Sequence, residues 1–193
     1  IEETGAASLG EVLKTNTTLT ELCLASCGVG PNGATSLIES LKDNTTLTKL
    51  DLACNRIGEI GAGALAEILK INSTLKTLSL GWNQIEGANV AQLSEALKTN
   101  STLTELNLRD NKIGDIGATS LSEALKINTA LMTLHLWYNG IGDAGATSLA
   151  EALKTNTTLA ELYLFDFAIG STGKMALIES LKTNSTLTNL NLK

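Results

Sequence analysis

The residue best suited to chemistry is a single histidine, which could be brought close to carboxylates. His135 is the only histidine of the chain, and a histidine beside Asp110 or Asp166 could act as a general base. Hydrolysis would also need a nucleophile, but the positions 28 residues before and after His135 hold Asn107 and Tyr163 rather than serine or cysteine. We therefore predict that the chain is not an enzyme. A role for His135 as a pH-sensitive contact stays an alternative.

Three cysteines are the other candidates for chemistry, and they lie near one end of the chain. Cys23, Cys27 and Cys54 make an odd number, which suits a disulfide framework poorly, and no histidine lies near them in sequence. A three-thiolate metal site or a disulfide stays an alternative, but free thiols are the favoured interpretation. Free thiols indicate a reducing compartment, so we predict a cytoplasmic protein without a cofactor or a bound metal.

Composition and charge restrict the class of protein. Hydrophobic residues make up 43% of the 193 residues and aromatic residues only 3%, so a large core is possible and must be aliphatic. The net charge of −6 excludes nucleic acid as a favoured partner, because an acidic chain repels phosphates. No apolar run reaches the roughly 18 residues that a membrane span needs. The chain starts at Ile1 without a methionine or a signal-peptide pattern, which we interpret as a fragment or a processed product.

A leucine pattern that recurs every 28 residues organises the whole chain. The pattern Leu-x-x-Leu-x-Leu begins at Leu19, Leu47, Leu75, Leu103, Leu131, Leu159 and Leu187. We predict one domain over residues 1–193, with a partial repeat at 1–18, six full repeats at 19–186 and a partial repeat at 187–193. Positions within a repeat are numbered from its first leucine. Because neither end has an obvious polar cap, end-to-end self-association is an alternative to a monomer.

Each repeat combines a strand with a helix. In the repeat that starts at Leu103, the residues LTELNL alternate apolar and polar side chains, which predicts a strand. Apolar residues spaced three and four apart then predict a helix, with Asp115 as its N-cap and Asn128 in a left-handed conformation at its end. Strands stack about 4.8 Å apart, while packed helices need about 8–10 Å. The mismatch predicts an α/β horseshoe solenoid, with a parallel sheet on the concave side and helices on the convex side.

The repeat also resembles a known family. The motif Leu-x-x-Leu-x-Leu-x-x-Asn-x-Ile-Gly precedes a helix of the pattern Gly-Ala-x-x-Leu-x-Glu-x-Leu-Lys-x-Asn, and together they are similar to the ribonuclease-inhibitor-like leucine-rich repeats. NOD-like receptors, Ran GTPase-activating proteins and tropomodulins carry similar repeats. The resemblance implies that a protein or peptide partner binds the concave face, with a NOD-like receptor repeat domain as the first candidate. A GTPase activator that uses Arg56 or Arg109, and a designed consensus array, stay alternatives.

Residues that recur in the repeats are interpreted as scaffold. Asparagine recurs at position nine as Asn55, Asn83, Asn111 and Asn139. The resemblance implies that these side chains bond backbone groups inside the turn. Cys27 is a familiar substitute at this position, whereas Phe167 cannot accept such bonds, so we expect a rearranged loop around residues 166–169.

Two further columns have both a structural and a functional interpretation. Glutamate and lysine three residues apart on each helix predict solubilising pairs, with a charged docking stripe as the alternative. Six asparagines near the helix ends lie in Asn-x-Ser/Thr sequons, and they are Asn16, Asn44, Asn72, Asn100, Asn156 and Asn184. We interpret them as helix stops, with glycosylation as the alternative.

The positions at which the repeats differ predict the binding site. Positions three, five, seven and eight should face the concave surface or its edge, and five of the six aromatic residues fall there. The predicted partner-binding residues are Trp82, Asn107, Arg109, Asp110, His135, Trp137, Tyr138, Tyr163, Phe165 and Asp166. Neighbouring strands should bring His135 against Tyr163 and Trp137 against Phe165. Tyr, Trp and Arg are typical of binding sites, so we favour a binding role for this group. The alternative is that the rings only cover the surface of the sheet.

Overall fold

The computed structural model describes residues 1–192, and Lys193, the last residue of the predicted terminal repeat, lies outside them. Short strands alternate with helices along the described chain. The helices are α1 (Glu2–Leu13), α2 (Gly30–Glu39), α3 (Gly58–Leu69), α4 (Gly87–Leu97), α5 (Gly114–Leu125), α6 (Asp143–Leu153) and α7 (Ser171–Ser180), and a 3₁₀ turn (Ser40–Lys42) follows α2. The strands are β1 (Glu21–Cys23), β2 (Lys49–Asp51), β3 (Thr77–Ser79), β4 (Glu105–Asn107), β5 (Thr133–His135), β6 (Glu161–Tyr163) and β7 (Asn189–Asn191).

The strands form one parallel sheet in chain order from β1 to β7. The register follows the repeat, so that Leu106 lies between Leu78 and Leu134 of the neighbouring strands. These leucines are fully buried, and each helix packs against the next in the same order. Each repeat covers the apolar face of its neighbour, and the result is one continuous aliphatic core. The α/β leucine-rich-repeat solenoid predicted from the sequence is confirmed.

Asparagine at position nine forms a buried ladder along the solenoid. The Asn111 Oδ1 atom accepts hydrogen bonds from the backbone N–H groups of Asn83 and Ile85, each at 3.0 Å. Its Nδ2 atom donates to the carbonyl oxygens of Leu80, Leu108 and Arg109 at 2.9–3.2 Å. One side chain therefore satisfies polar groups of two successive repeats where the chain leaves the sheet.

The ladder continues past Asn139 through a carboxylate rather than through position nine. Asp166, at position eight, accepts hydrogen bonds at Oδ2 from the N–H groups of Asn139 (2.8 Å) and Ile141 (3.1 Å). Position eight is left-handed in the five preceding repeats, with φ of 52–59°, but Asp166 does not share this conformation. The altered turn brings Asp166 inward and leaves Phe167 84% exposed. The expected rearrangement of this loop is confirmed.

A second asparagine ladder joins the helix ends, and it corrects the interpretation of Asn128. The helix α5 ends at Leu125, and Asn128 is not left-handed. Instead, Asn128 Oδ1 accepts from the N–H groups of Ala130 and Leu131, at 2.9 and 2.7 Å. Its Nδ2 atom donates to the Leu97 carbonyl at 2.6 Å. The residue closes a local turn and ties it to the preceding repeat, so the predicted left-handed stop is wrong.

The same ladder explains the sequons. Asn44, Asn72, Asn100 and Asn156 are buried. Each of them donates from Nδ2 to the carbonyl of a leucine in the preceding repeat. Because a glycan is attached through this nitrogen, modification would require the buried side chain to leave the fold. We therefore expect these four asparagines to carry no glycan in the folded protein.

The helix caps differ from the predicted pattern. The residue before α5 is Ile113, and no side chain caps this helix, so the prediction that Asp115 caps it is wrong. Asp115 instead reaches the next repeat, where its Oδ1 atom accepts from the N–H groups of Gly142 and Gly145, each at 2.8 Å. A Cβ atom on Gly145 would lie 2.7 Å from this oxygen, which explains the glycine. Asp143 bonds Gly170 and Gly173 in the same way in the following repeat.

Replacing Asp115 by alanine is expected to lower the free energy of unfolding by about 1–2 kcal/mol, because two N–H groups at the start of α6 lose their acceptor. The matched control is Glu59→Ala, since Glu59 occupies the same position of an earlier repeat and is exposed. Urea denaturation followed by circular dichroism measures both. Equal stability of the two variants would contradict the assigned cap.

Candidate functional site

Positions three, five and seven lie on the side of the sheet away from the helices, here called the open face. In β4, Glu105 and Asn107 are partly exposed, while Leu106 between them is buried. Hydrogen bonding between neighbouring repeats continues beyond the strands, since the Asp110 N–H group donates to the Trp137 carbonyl at 2.8 Å. Side chains at positions seven and eight are therefore held in register along the edge where the strands end.

A stack of two rings forms the centre of the site. His135 and Tyr163 lie parallel, with centroids 4.3 Å apart and an interplanar angle of 6°, so the predicted contact is confirmed. The Tyr163 hydroxyl donates to Glu161 Oε2 at 2.6 Å and accepts from Asn189 Nδ2 at 3.2 Å. The bond to Glu161 is the main reason that the pKa of Tyr163 is raised. This hydroxyl is therefore fixed in place and neutral.

The other rings form diagonal contacts between repeats and one contact within a repeat. The expected pairing of Trp137 with Phe165 is replaced by an edge contact between Trp137 and Tyr163, with centroids 5.6 Å apart. Phe165 instead meets Tyr138 at 5.3 Å and Phe167 at 5.1 Å. Such offsets are within reach because diagonal neighbours on adjacent strands lie about 7–8 Å apart at their backbones.

The Arg109 guanidinium lies close to the aromatic rings of three side chains. Its guanidinium carbon lies 4.6 Å from the ring centroid of Trp82, 5.2 Å from that of Trp137 and 5.5 Å from that of Tyr138. Its Nε atom donates to Asp110 Oδ2 at 2.9 Å. Each cation–π contact contributes about 0.5–2 kcal/mol, so Arg109 orders the rings as well as presenting charge.

The structure brings most of the predicted site residues together, and it reassigns two of them. Asp166 is 9% exposed and serves the ladder, so we remove it from the proposed surface. Asn107 is partly engaged in the turn, because its Oδ1 atom accepts from the Arg109 N–H group at 3.0 Å. Sequence reasoning missed Phe167, whose exposed ring extends the cluster beyond Phe165. The signal was available, since an aromatic residue stands where other repeats have asparagine.

We define the aromatic cluster as the side chains that these contacts connect. Its members are Trp82, Arg109, His135, Trp137, Tyr138, Tyr163, Phe165 and Phe167. A shallow cavity of about 310 Å³ opens beside it, lined by Trp82, Gln84, Asp110, Asn111, Lys112 and Tyr138. The cluster exposes apolar and cationic groups side by side, which is the composition of protein interfaces.

The pKa of His135 is lowered from its ordinary value by burial, an effect that Glu105 and Glu161 partly oppose. Folding therefore favours neutral His135, and this contribution to stability is present above about pH 6.5 and is lost as the pH falls through the lowered pKa. We expect the melting temperature to decrease between about pH 7.5 and pH 5.5. The decrease should be smaller in His135→Gln, and an equal decrease in both proteins would contradict the assignment.

The described chain holds no group of three histidine, cysteine or acidic side chains placed to bind a metal ion. Nor is any helix within residues 1–192 long and apolar enough to cross a bilayer.

Comparison with known proteins relates the chain to leucine-rich-repeat domains. A sequence profile described as "TMOD/LMOD Leucine-rich domain" matches residues 31–118, and one described as "Leucine Rich repeat" matches residues 15–37 and 128–150. Comparison with curated protein sequences gives no match. The chain is similar to the solved structure of Leiomodin-1 Actin-Binding Site 2, with a TM-score of 0.61 and 24% identity over 92% of this chain and 87% of that one.

It is also similar to the C-terminal domain of tropomodulin from Caenorhabditis elegans, with a TM-score of 0.60 and 17% identity over 95% of this chain and 93% of that one. These similarities extend over nearly the whole solenoid, so they concern the architecture as a whole. The specific assignment to NOD-like receptors is not confirmed. The chain therefore has the leucine-rich-repeat solenoid fold, and in this fold it resembles leiomodin and tropomodulin domains.

Proposed function

We propose that this chain is a protein-recognition module that binds its partner through the aromatic cluster, which lies on the open face, the predicted concave side, and along the edge where the strands end. The observation that carries the proposal is the position of the cluster. Its rings lie where the repeat scaffold does not require them, and Phe167 is 84% exposed. An apolar patch of this kind is costly to leave in water and is typical of an interface. Binding rather than catalysis is also consistent with a shallow open face.

Actin is the partner that we propose to test first. The Leiomodin-1 domain to which the chain is similar is named for actin binding, and the tropomodulin and leiomodin profile matches residues 31–118. A sensing role of the NOD-like receptor type is the alternative, and it rests on the resemblance of the repeat motif alone. We further propose a cytoplasmic location, because Cys23, Cys27 and Cys54 are all unpaired.

The experiment is a calorimetric titration of the chain with monomeric actin. We expect binding, and we expect Phe167→Ser to weaken it about tenfold, which corresponds to about 1.4 kcal/mol. Ile116→Ser is the matched control, since Ile116 is an exposed apolar residue (74%) on α5 and lies outside the cluster. No binding up to about 100 µM would reject actin as the partner. Equal weakening by both variants would contradict binding at the cluster.

A further inference from the structure

Several hydrogen-bond donors at the edge of the open face, beside Trp82 and Tyr138, have no acceptor within the described chain. Arg109 uses its Nε atom to bond Asp110, but within residues 1–192 no acceptor bonds its two terminal nitrogens. The Trp137 indole N–H group is buried and has no partner in the described chain either. Lys112 is exposed, lines the adjacent cavity and forms no ion pair with any described residue. The buried Trp137 N–H group is an unsatisfied donor of a kind that is uncommon in folded proteins. Arg109 and Lys112 reach solvent, so their free N–H groups are available to an acceptor that a ligand supplies.

The edge carries both cations and carboxylates. Arg56 follows β2, whereas Arg109 and Lys112 both follow β4. The partly exposed carboxylate of Asp110 is already bonded to Arg109, and the exposed Glu86 lies beside Lys112, since their backbones form a β-bridge. Asp166 belongs to the same edge but is buried, and both of its oxygens accept backbone hydrogen bonds. Arg109 therefore keeps free terminal nitrogens at this edge of a protein whose net charge is −6.

The three rings around Arg109 already hold a cation, which disfavours a cationic ligand there. A lysine or arginine of a partner would bind over the faces of Trp82, Trp137 or Tyr138, but the guanidinium of Arg109 already lies within 5.5 Å of all three centroids. Because the same contacts hold Arg109 in place, little side-chain entropy is lost when its free nitrogens bind an acceptor. The arrangement favours a planar anion that accepts two hydrogen bonds.

We infer that this edge binds a carboxylate of an acidic segment of the partner, and the inference rests on the proposed function. The carboxylate accepts a pair of hydrogen bonds from the terminal nitrogens of Arg109, and Lys112, which lines the neighbouring cavity, adds a second cation in the same repeat. An apolar residue next to the acid in the partner then packs on Phe165 and Phe167, whose rings are 5.1 Å apart. Arg109 therefore selects an acidic residue in the partner segment, and the rings select an apolar residue next to it.

The two tryptophans of the chain are Trp82 and Trp137, so intrinsic fluorescence reports on the cluster directly. The probes are three capped pentapeptides with the sequences Asp-Phe-Glu-Asp-Phe, Asn-Phe-Gln-Asn-Phe and Lys-Phe-Lys-Lys-Phe. We expect the acidic peptide to change the emission with a Kd of roughly 0.1–1 mM. The neutral and basic peptides should bind at least about tenfold more weakly, and added salt should weaken the acidic peptide.

Arg109→Met keeps an apolar stem against the rings and removes the guanidinium, so we expect it to weaken the acidic peptide about tenfold. Lys126→Met on the helical side is the control and should change nothing, since Lys126 is paired with Glu123 there. If Arg109→Met does not fold, as judged by circular dichroism, the exposed Lys112→Met variant carries the same test with a smaller expected loss.

Three results would overturn the inference. They are equal binding of the neutral or basic peptide, full binding of the acidic peptide by folded Arg109→Met, and preference for an oligothymidylate, which would assign the edge to phosphate. In each case the proposed function could still hold, because partner binding through the rings is measured separately with Phe167→Ser. If the partner does not bind through the rings while the chain still prefers the acidic peptide, the proposed function is rejected and the carboxylate-binding edge is retained.

Discussion

Replacing Asn111 by alanine is expected to lower the free energy of unfolding by about 2–4 kcal/mol. The side chain makes five hydrogen bonds to backbone groups of two repeats. Alanine leaves the N–H groups of Asn83 and Ile85 without an acceptor in a buried turn, and water cannot reach Asn83, which is fully buried. The loss is large because several buried groups become unsatisfied at once.

Urea denaturation measures this change, and Asn32→Ala is the matched control. Asn32 is an exposed asparagine on α2, and we expect its replacement to change stability by less than about 0.5 kcal/mol. Hydrogen exchange at the amides of Asn83 and Ile85 gives a second measure, since both should exchange faster in Asn111→Ala. A loss below about 1 kcal/mol with unchanged exchange would show that the ladder is not a main source of stability.

Replacing Trp137, Tyr163 and Phe165 together by alanine is expected to weaken partner binding at least about 100-fold, or about 2.7 kcal/mol. Ring side chains at the centre of an interface account for most of the binding energy, and these three are partly exposed members of one connected cluster. The fold should survive, because their positions lie on the open face rather than among the buried leucines. Loss of ring contacts should lower stability by no more than a few kcal/mol.

The matched control is a second triple variant on the same face, with alanine at Lys49, Thr77 and Ser79 of β2 and β3. It removes polar side chains from the half of the open face that holds no aromatic ring, and we expect its affinity to stay within about threefold of the unmodified chain. Unchanged affinity of a folded ring variant would favour the alternative that the rings only cover the sheet.

The fold was predictable because the same pattern of strand and helix residues recurs in every repeat of the sequence. Leu106 and its equivalents predicted the sheet and its register from spacing alone. The errors concern side chains that bond a neighbouring repeat. Asp115 lies at the start of its own helix, yet it caps the next one, and Asn128 bonds the previous repeat. Such contacts depend on the distance between repeats, which the residue order within one repeat does not contain.

The site was predictable in position but less so in detail. Aromatic residues at positions five and seven predicted the stack of His135 on Tyr163, because strand pairing fixes which residues are neighbours. The diagonal contacts and the enclosure of Arg109 depend on side-chain rotamers, which the sequence pattern does not determine. Because the backbone turn after β6 differs from that of the other repeats, Asp166 takes the place of the ladder asparagine and the Phe167 side chain is exposed. The aromatic residue at position nine predicted that this turn would change. The sequence pattern did not show that Asp166 would take the place of the ladder asparagine.

Fluorine NMR of the chain labelled with 5-fluorotryptophan tests the central proposal most directly. The labelled protein gives two resonances, from Trp82 and Trp137, and both residues belong to the aromatic cluster. During titration with unlabelled monomeric actin, we predict that both resonances shift or broaden in proportion to the bound fraction measured by calorimetry. Saturated binding with both resonances unchanged would show that the partner binds elsewhere on the solenoid and would contradict the proposal.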